Sequence, residues 1–474
     1  MNMKNLFFTV LALLLSSVVI AQQATFSLKQ CVETAIANNI QVKQSGLDKD
    51  AAEVNYRQAK NNRLPDLSGS YGFGINNGRS IDPFTNGYIN QQLNSSNTSV
   101  SLSVPVFSGM KLQNAIKQRE FGLKASEMDW QQQKDNLTLN VILAYLQVLN
   151  NEDLLELAKQ QAAVTLKQVE RLETLNKEGA IAPADLSDMK GQYASDEINV
   201  MNSKANLETS KLNLSQLMNI PYNTSMKLER EATVTSLAKP ELSAEGVYQT
   251  SLTQLATIKA NDFRKQSAAS AVKVAGADHY PQLSLFGQVG TNYSSAATRN
   301  TLLNTQEVPS GDYVTVAGNK LPVITQQSSF KSDKISYGSQ YNNNLGTYAG
   351  INLRVPIFAA FQTNSNVKLA KIQEKNVSLQ ADNVKWQLRQ AVEQAHLNWV
   401  QAYDRYQLLS KQVVAFEESF RSAEVRFNEG AWNSVQYLIV KNNFDRSRAN
   451  LITTGYEYQL RTRILDFYQG KQVW

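Results

Sequence analysis

The chain has 474 residues, of which 42% are hydrophobic and 19% charged, with a net charge of +6 and a mean hydropathy of −0.36. Lys and Arg alternate with Asp and Glu, without a basic block or a basic-aromatic cluster, which argues against a nucleic-acid partner. Beyond the N-terminus no stretch approaches the roughly 20 apolar residues of a membrane-spanning helix, so a membrane crossing would require β-strands closed into a barrel.

The N-terminal segment predicts a secretory signal peptide at residues 1–21. Lys4 precedes an apolar run from Leu6 to Ile20, which is short for a membrane helix and fits the central region of a cleaved leader. Cleavage is expected after Ala21, with an uncleaved anchor as the alternative. The mature chain is therefore expected to work outside the cytoplasm.

The residue types that carry most enzyme chemistry are sparse. Cys31 is the single cysteine, so an intrachain disulfide is excluded, and the two histidines, His279 and His396, lie far apart in the sequence. We find no metal-ligand spacing, nucleophile elbow or phosphate-binding glycine loop. The sequence predicts no catalytic residue, no cofactor and no metal site, and therefore a protein that is not an enzyme.

In chain order, the first predicted element is a helix capped by Ser27 that runs to about Arg63. Two strands follow, in which apolar residues alternate with small polar ones near 67–75 and 99–106, as in a lipid-facing barrel strand. The next segment, 107–178, has no proline, and its apolar residues step by three and four, which predicts a coiled-coil helix. A shorter helix is expected from Pro183 to about Met218.

The same order returns in the second half of the chain. The junction Val104-Pro105-Val106-Phe107 recurs 251 positions later as Val355-Pro356-Ile357-Phe358, and the turn at 177–180 recurs at 428–431. Ser27 and Pro65 recur 216 positions later as Ser243 and Pro281. The chain is therefore predicted to be a tandem duplication with a 35-residue insertion in the second copy.

The second repeat is expected to hold a helix from Ser243 to about His279, strands near 283–293 and 349–357, a long helix over 357–429 and a shorter one from Asn433 to about Phe467. The insertion falls in the predicted loop at about 294–343, the counterpart of a loop at about 76–97. We predict a first repeat at 22–218, a linker or equatorial region at 219–242, a second repeat at 243–467 and a tail at 468–474.

Four strands cannot close a membrane barrel, because the smallest have about eight. Copies of the chain must therefore combine. Three chains would supply twelve strands and two would supply eight, and the residues alone leave both open.

The order of elements resembles the TolC-like outer-membrane efflux proteins over nearly the whole mature chain. Its marks are the two strand-to-helix junctions, Pro105 with Phe107 and Pro356 with Phe358, and the two Glu-Gly-Ala turns at Gly179 and Gly430. The resemblance implies a mainly α fold with a small β part. Each chain would supply four strands to a trimeric twelve-stranded β-barrel and its long helices to an antiparallel coiled-coil α-barrel.

The resemblance also implies an outer-membrane protein that extends into the periplasm. It would be the passive exit duct of a tripartite efflux or type I secretion system. Its implied partners are two further copies of the chain, outer-membrane lipid, a periplasmic adaptor (a membrane fusion protein) and, through that adaptor, an inner-membrane pump. The alternatives are a trimeric coiled-coil surface fibre or adhesin with a membrane barrel, and a periplasmic enzyme.

By the same resemblance, the two turns would form the periplasmic tip and contact the adaptor. Ile181 and Trp432 are expected to be exposed there. The residues concerned are Gly179, Ala180, Ile181, Gly430, Ala431 and Trp432.

The resemblance further implies that acidic residues just after the turns gate the entrance and bind cations. Asp185 and Asp188 are three residues apart and therefore share a helix face. Their counterparts, Gln436 and Ile439, depart from the family pattern, in which the second repeat carries the acids. The competing interpretation is that acids in a first helical turn are favoured by the helix dipole.

Overall fold

A computed structural model of the chain describes residues 25–82, 86–230 and 243–474. The predicted signal peptide and residues 231–242 of the predicted linker lie outside the described residues. The chain divides into two compact units. We call them the helical unit (the chain up to Val54, Glu120–Ala268 and Gln373–Trp474) and the sheet unit (Asn55–Arg119 and Ala269–Ile372).

The helices reproduce the duplication. The first repeat contains α1 (Leu28–Asn38), α2 (Ile40–Asn61), α3 (Lys111–Lys177) and α4 (Pro183–Leu217). The second contains α5 (Ala244–Gln254), α6 (Ala256–Gly276), α7 (Tyr337–Asn343), α8 (Gln362–Asn428) and α9 (Ser434–Tyr468).

The predicted tandem order of helices is confirmed. Helices α3 and α8 have 67 residues each, and α4 and α9 have 35 each. In the described part of the chain, no helix is both long and apolar enough to cross a membrane.

The prediction of one continuous helix from Ser27 to about Arg63 is wrong, as is its counterpart from Ser243 to about His279. Asn39 ends α1 with an extended backbone (ψ 128°), and its side-chain oxygen accepts a hydrogen bond from the Val42 N–H at 3.1 Å. Leu255, 216 positions later, breaks the second helix with nearly the same backbone (ψ 134°). Neither break contains proline or glycine, the residues that most strongly predict the end of a helix, although Asn readily bonds to nearby backbone groups.

The strands form one main sheet in the sheet unit. It contains β2 (Asp66–Asn76), β5 (Leu93–Ser108), β7 (Gln282–Ser294) and β10 (Gly346–Arg354), antiparallel in the order β10-β7-β5-β2. The remaining strands make two-stranded pairs. These are β1 (Thr25–Phe26) with β6 (Lys227–Leu228), β3 (Arg79–Ile81) with β4 (Tyr88–Asn90), and β8 (Thr298–Val316) with β9 (Asn319–Lys334).

The predicted alternation is present in the main sheet. Leu67 lies opposite Leu102, Val100 opposite Val289, and Leu285 opposite Ile351, so one face carries the apolar residues. Directly opposed residues of an antiparallel pair point to the same side of a sheet. The apolar side chains are exposed in the single chain.

Two details of the strand prediction are wrong. The insertion is not a loop, because residues 298–334 form the β8–β9 hairpin, followed by α7. The last strand ends at Arg354, so Val355 and Ile357, which the pattern placed in it, lie beyond its end. In the first repeat β5 continues through the corresponding positions to Ser108, since β7 pairs with it there.

The helical unit buries three apolar clusters. The largest joins α1, α3 and α4 around Tyr145, whose hydroxyl donates to the Glu229 carbonyl at 2.5 Å. A second joins α5, α8 and α9 around Trp399. The third holds α3 and α4 against α8 and α9 near the two helix turns. This third cluster positions the candidate site.

Candidate functional site at the helix turns

The turn between α3 and α4 is closed by Gly179. Its φ of +67° lies in the left-handed region that favours glycine. The Gly179 N–H donates to the Asn176 carbonyl at 3.1 Å, and the Ala180 N–H donates to the Leu175 carbonyl at 2.8 Å. These bonds satisfy carbonyls at the end of α3. Pro183 then starts α4, where its missing N–H costs nothing.

The turn between α8 and α9 repeats this geometry. Gly430 has a φ of +72°, and the Ala431 N–H donates to the Arg426 carbonyl at 2.9 Å. Asn433 caps α9 in a reciprocal capping box with Gln436. The Gln436 side-chain oxygen accepts a hydrogen bond from the Asn433 N–H at the start of α9.

The two acids of α4 bind the first residue of α9. Asp185 Oδ1 accepts from the Ser434 backbone N–H at 3.0 Å, and Asp188 Oδ2 accepts from the Ser434 hydroxyl at 2.9 Å. The shared helix face of these acids is therefore turned toward the second helical hairpin, α8–α9. A carboxylate at a helix N-terminus is favoured by the unpaired N–H groups and the helix dipole. Two side chains of the α3–α4 hairpin thus satisfy polar groups at the N-terminus of α9.

A cleft of about 620 Å³ lies between the two turns. Arg171 of α3 crosses one side and donates to the Asn428 side-chain oxygen at 2.7 Å. Asp185 and Gln436 line the cleft together with both turn segments, 180–182 and 428–433. The structure thus brings the residues predicted at the two turns into one site, although the turns are 251 positions apart.

The expected exposure of Ile181 and Trp432 is wrong. Both side chains are half-buried. Ile181 packs on the apolar cluster that contains Phe427 and Tyr437, and the Arg426 guanidinium lies over the Trp432 ring at 5.3 Å. Contacts within the chain therefore account for part of the apolar surface of Ile181 and Trp432 at the turns. Ala180 and Ala431 are exposed.

A buried ionic network lies on the same helices, 11 residues into α4 from Asp185. Lys441 of α9 has a side chain only 1% exposed, and its Nζ lies 3.2 Å from Asp196 Oδ2 and 2.7 Å from Asp445 Oδ2. Asp196 of α4 also accepts from Thr165 at 2.5 Å and Gln192 at 2.7 Å. Burial raises the pKa of the Asp445 carboxyl, although the Lys441 ammonium opposes that shift. Sequence reasoning missed this network and the contacts of Ser434 with Asp185 and Asp188, although it offered Asn433 or Ser434 as the cap of this helix.

The two strand-to-helix junctions differ in the single chain. Pro105 and Phe107 belong to β5, where the pairing with β7 shifts register between them. Pro356 and Phe358 lie after the end of β10. Within the single chain, the motif of the first repeat therefore has strand pairing with β7, and the motif of the second repeat lies outside a strand.

Comparison with known proteins identifies the family. The model for the outer membrane efflux protein family matches residues 31–219 and 247–470, which is most of the chain in two segments. The chain belongs to the outer membrane efflux protein family. Outer membrane protein TolC of Escherichia coli (strain K12) is 23% identical over 96% of this chain and 84% of its own length.

Two solved structures share the fold over most of the chain. The outer membrane protein VceC of Vibrio cholerae has a TM-score of 0.72 at 15% identity, over 94% of this chain and 97% of that one. The Campylobacter jejuni CmeC outer membrane channel has a TM-score of 0.70 at 18% identity, over 94% and 85%. This efflux family protein is therefore an outer-membrane protein that forms an exit duct for efflux. The duct, not the adhesin, is the supported interpretation.

Proposed function

We propose that the duct is a homotrimer in which each copy supplies four strands to one twelve-stranded barrel. The sheet order leaves β10 and β2 at the two edges of the four-stranded sheet. A sheet in the hydrocarbon region cannot leave edge N–H and C=O groups unpaired. The apolar face would meet outer-membrane lipid, and the face with Ser and Gly would line the water-filled interior.

The single observation that carries this proposal is an asymmetry between the repeats. Helices α2 and α8 expose several large apolar side chains to solvent in the single chain. Their counterparts expose fewer: α6 exposes none, and α3 exposes only Leu143 and Val164. On α2 these are Ile40, Leu47 and Val54, and on α8 they are Leu369, Ile372, Leu379, Trp386, Leu397, Leu408, Val414 and Val425. Within the chain α3 and α6 contact each other through Arg264 and Asp129. Their counterparts α8 and α2 would find the same contact in a neighbouring copy.

Native mass spectrometry after mild detergent extraction tests the assembly. We expect a species with three times the mass of the mature chain, because three copies give twelve strands and leave no open edge. Dilution in the same detergent is the control, since an adventitious aggregate would spread over several masses. A monomer, or a dimer with eight strands, would contradict the proposal.

We further propose that the two turns contact a periplasmic adaptor, which joins the duct to an inner-membrane pump. The turns present Gly179, Ala180, Gly430 and Ala431 beside the cleft, all of them exposed. Small residues permit a close approach by a partner's backbone. The duct would be passive and would carry no catalytic activity of its own.

Site-specific photocrosslinking tests the adaptor contact. A photoreactive residue at Trp432 or Ala431 should form a covalent adduct with a co-expressed adaptor, because both positions border the cleft. The same residue at Tyr313, exposed in the β8–β9 hairpin, is the matched control and should form none. Adducts from position 313 alone would exclude the turns as the adaptor site.

We also propose that Asp185 and Asp188 govern the periplasmic entrance. Their carboxylates hold the start of α9 through Ser434, and three copies would bring six of them near one axis. Such a ring would attract cations into a narrow opening. Release of the Ser434 contacts would free the α8–α9 hairpin to move.

A further inference from the structure

A cleft of about 610 Å³ lies in the sheet unit, at the end of the main sheet where the helices begin. It is bounded by the end of β5, the first turn of α3, the last turn of α6 and Val367 of α8. Gly109 lets these segments approach closely, since its φ is +60° and a Cβ there would lie 2.6 Å from the Ala277 carbonyl. Gly276 leaves the cleft open, because a Cβ on it would meet no atom within 4 Å.

The cleft is continuous with the apolar face of the main sheet. Phe107 lines the cleft and lies opposite Leu283 in the pairing of β5 with β7. Leu283, Leu285 and Val289 are alternate residues of β7, so Phe107 shares their face. We have proposed that this face meets outer-membrane lipid. A cleft at the helix end of the face then lies at the level of the lipid headgroups, beyond the hydrocarbon layer.

The position of the cleft leaves it open to a partner other than a second copy of the chain. Strands β5 and β7 are the inner strands of the main sheet, and β10 and β2 are its edges. Copies of the chain would meet at the edges, away from the ends of the inner strands. Two of the lining side chains, Met110 and Tyr280, are more than half exposed. An apolar surface of this kind calls for an occupant with an apolar part.

Two basic side chains, Lys273 and His279, line the same cleft. Lys111 is nearby in the sheet unit, and its ammonium is paired with Asp278 at 2.7 Å. Lys273 has no such ion pair with any residue that the structure describes. A lysine ammonium and an imidazole N–H both donate hydrogen bonds to phosphate oxygens. The cleft therefore offers anion-binding donors beside an apolar wall.

The end of the sheet unit that contains the cleft is strongly basic. Nine Lys or Arg and two Asp or Glu lie in its four segments, residues 60–66, 106–119, 273–282 and 354–371. Eight of the nine basic residues are exposed. The opposite end of the sheet, residues 76–93 and 295–345, has five basic and four acidic residues. Positive charge at one end only favours an anionic partner at that end.

We propose that the cleft binds the headgroup of an anionic phospholipid from the periplasmic leaflet of the outer membrane, an inference that rests on the proposed placement of the sheet. Lys273 and His279 hold the phosphate, and the acyl chains run along Phe107 and Leu283 into the hydrocarbon layer. The volume of the cleft is within the usual range of small-ligand sites, about 300–1,000 Å³. A headgroup without a positive charge, such as that of phosphatidylglycerol, suits the basic surroundings better than choline does.

Native mass spectrometry of the full-length protein in dodecylmaltoside, titrated with dioleoyl phosphatidylglycerol, tests the site. We expect saturable binding of one lipid per copy and weaker binding of dioleoyl phosphatidylcholine. Lys273→Gln should weaken phosphatidylglycerol binding roughly tenfold or more, the usual effect of losing one charge-assisted hydrogen bond. Lys320→Gln, in the β8–β9 hairpin, removes the same charge far from the cleft and should bind the lipid as the parent does.

A second variant fills the cleft and keeps its charge. Gly276 has a helical backbone (φ −69°, ψ −21°), so leucine is tolerated there, and its side chain would enter the open space of the cleft. Gly276→Leu should therefore lose the bound lipid. The smaller Gly276→Ala is its control and should retain most of the binding. Gly276→Leu also tests the site if Lys273→Gln fails to fold.

Equal binding of the two lipids would overturn the assignment of an anionic headgroup. Parent-like binding by both Lys273→Gln and Gly276→Leu would overturn the cleft as the site. Displacement of the lipid by inorganic phosphate at the same concentration would indicate a site for free phosphate and would also overturn the proposal. The cleft lies within one chain, so a protein that stays monomeric would contradict the proposed trimer and would still report on lipid binding.

Discussion

Replacing Lys441 by methionine should lower the free energy of unfolding by about 3–5 kcal/mol, the typical cost of removing one partner from a buried ion pair. Asp196 is 5% exposed, and in the variant it would lose the ammonium beside it. Methionine fills similar volume, so the loss would report charge and not a cavity. Denaturant titration of the detergent-solubilised protein, followed by its helical circular dichroism, measures the loss.

The control is Lys190→Met. Lys190 lies 2.7 Å from Glu173, but both side chains are substantially exposed, at 52% and 41%. An exposed pair of this kind contributes less than about 1 kcal/mol. Equal losses in the two variants would show that the Lys441 network does not stabilise the contact between the helical hairpins.

The loss at Lys441 should also depend on pH. Burial raises the pKa of Asp445, and removal of the ammonium takes away the largest effect that opposes it, so this pKa would rise further. A carboxyl whose pKa is raised in the folded state binds its proton more tightly there than in the unfolded state. Its unfavourable contribution to the free energy of unfolding is therefore relieved as the pH falls. The difference between Lys441→Met and the parent should therefore shrink at acidic pH. A difference that widened on acidification would contradict this account.

The double variant Asp185→Asn with Asp188→Asn should lose cation selectivity in single-channel recordings. One unit charge at 4 Å in water is worth about 1 kcal/mol, so the cation-to-anion permeability ratio should fall by roughly fivefold or more at low salt. Block by multivalent cations should weaken in parallel. The difference should fade in 1 M salt, where the Debye length is about 3 Å.

Asparagine keeps an oxygen that can accept from Ser434, so this variant changes the charge and retains the contact. Ser434→Ala is the converse control, since it removes the hydroxyl that donates to Asp188 and leaves both carboxylates. It should leave selectivity unchanged. Parent-like conductance, selectivity and block in the Asn variant would reduce the two acids to helix-start residues.

The long helices and turns could be predicted from the sequence because each appears twice at fixed displacement, with glycine at the one position that needs a left-handed backbone. The break at Asn39 could not, because an asparagine within an apolar-periodic stretch is compatible with helix. The β8–β9 hairpin could not be predicted either, because its content of Asn, Ser and Thr is typical of a loop.

The candidate site was predictable only in part. The turns and acids were found from local pattern, whereas the contacts of Asp185 and Asp188 with Ser434 join residues about 250 positions apart. Lys441 resembles any solvated lysine of an amphipathic helix, since nothing in its local sequence reveals that Asp196 of another helix lies beside it. Such pairs form only through tertiary packing, and tertiary packing cannot be predicted from the local pattern of a single sequence.

As an exit duct, this chain is expected to form a water-filled path through the outer membrane. Purified trimer added to a planar lipid bilayer tests that claim most directly. We predict stepwise, steady single-channel currents, because a closed barrel with a small polar inner face encloses a water-filled path. Trimer that inserts into the bilayer and gives no conductance steps, at any voltage or salt concentration, would contradict the account.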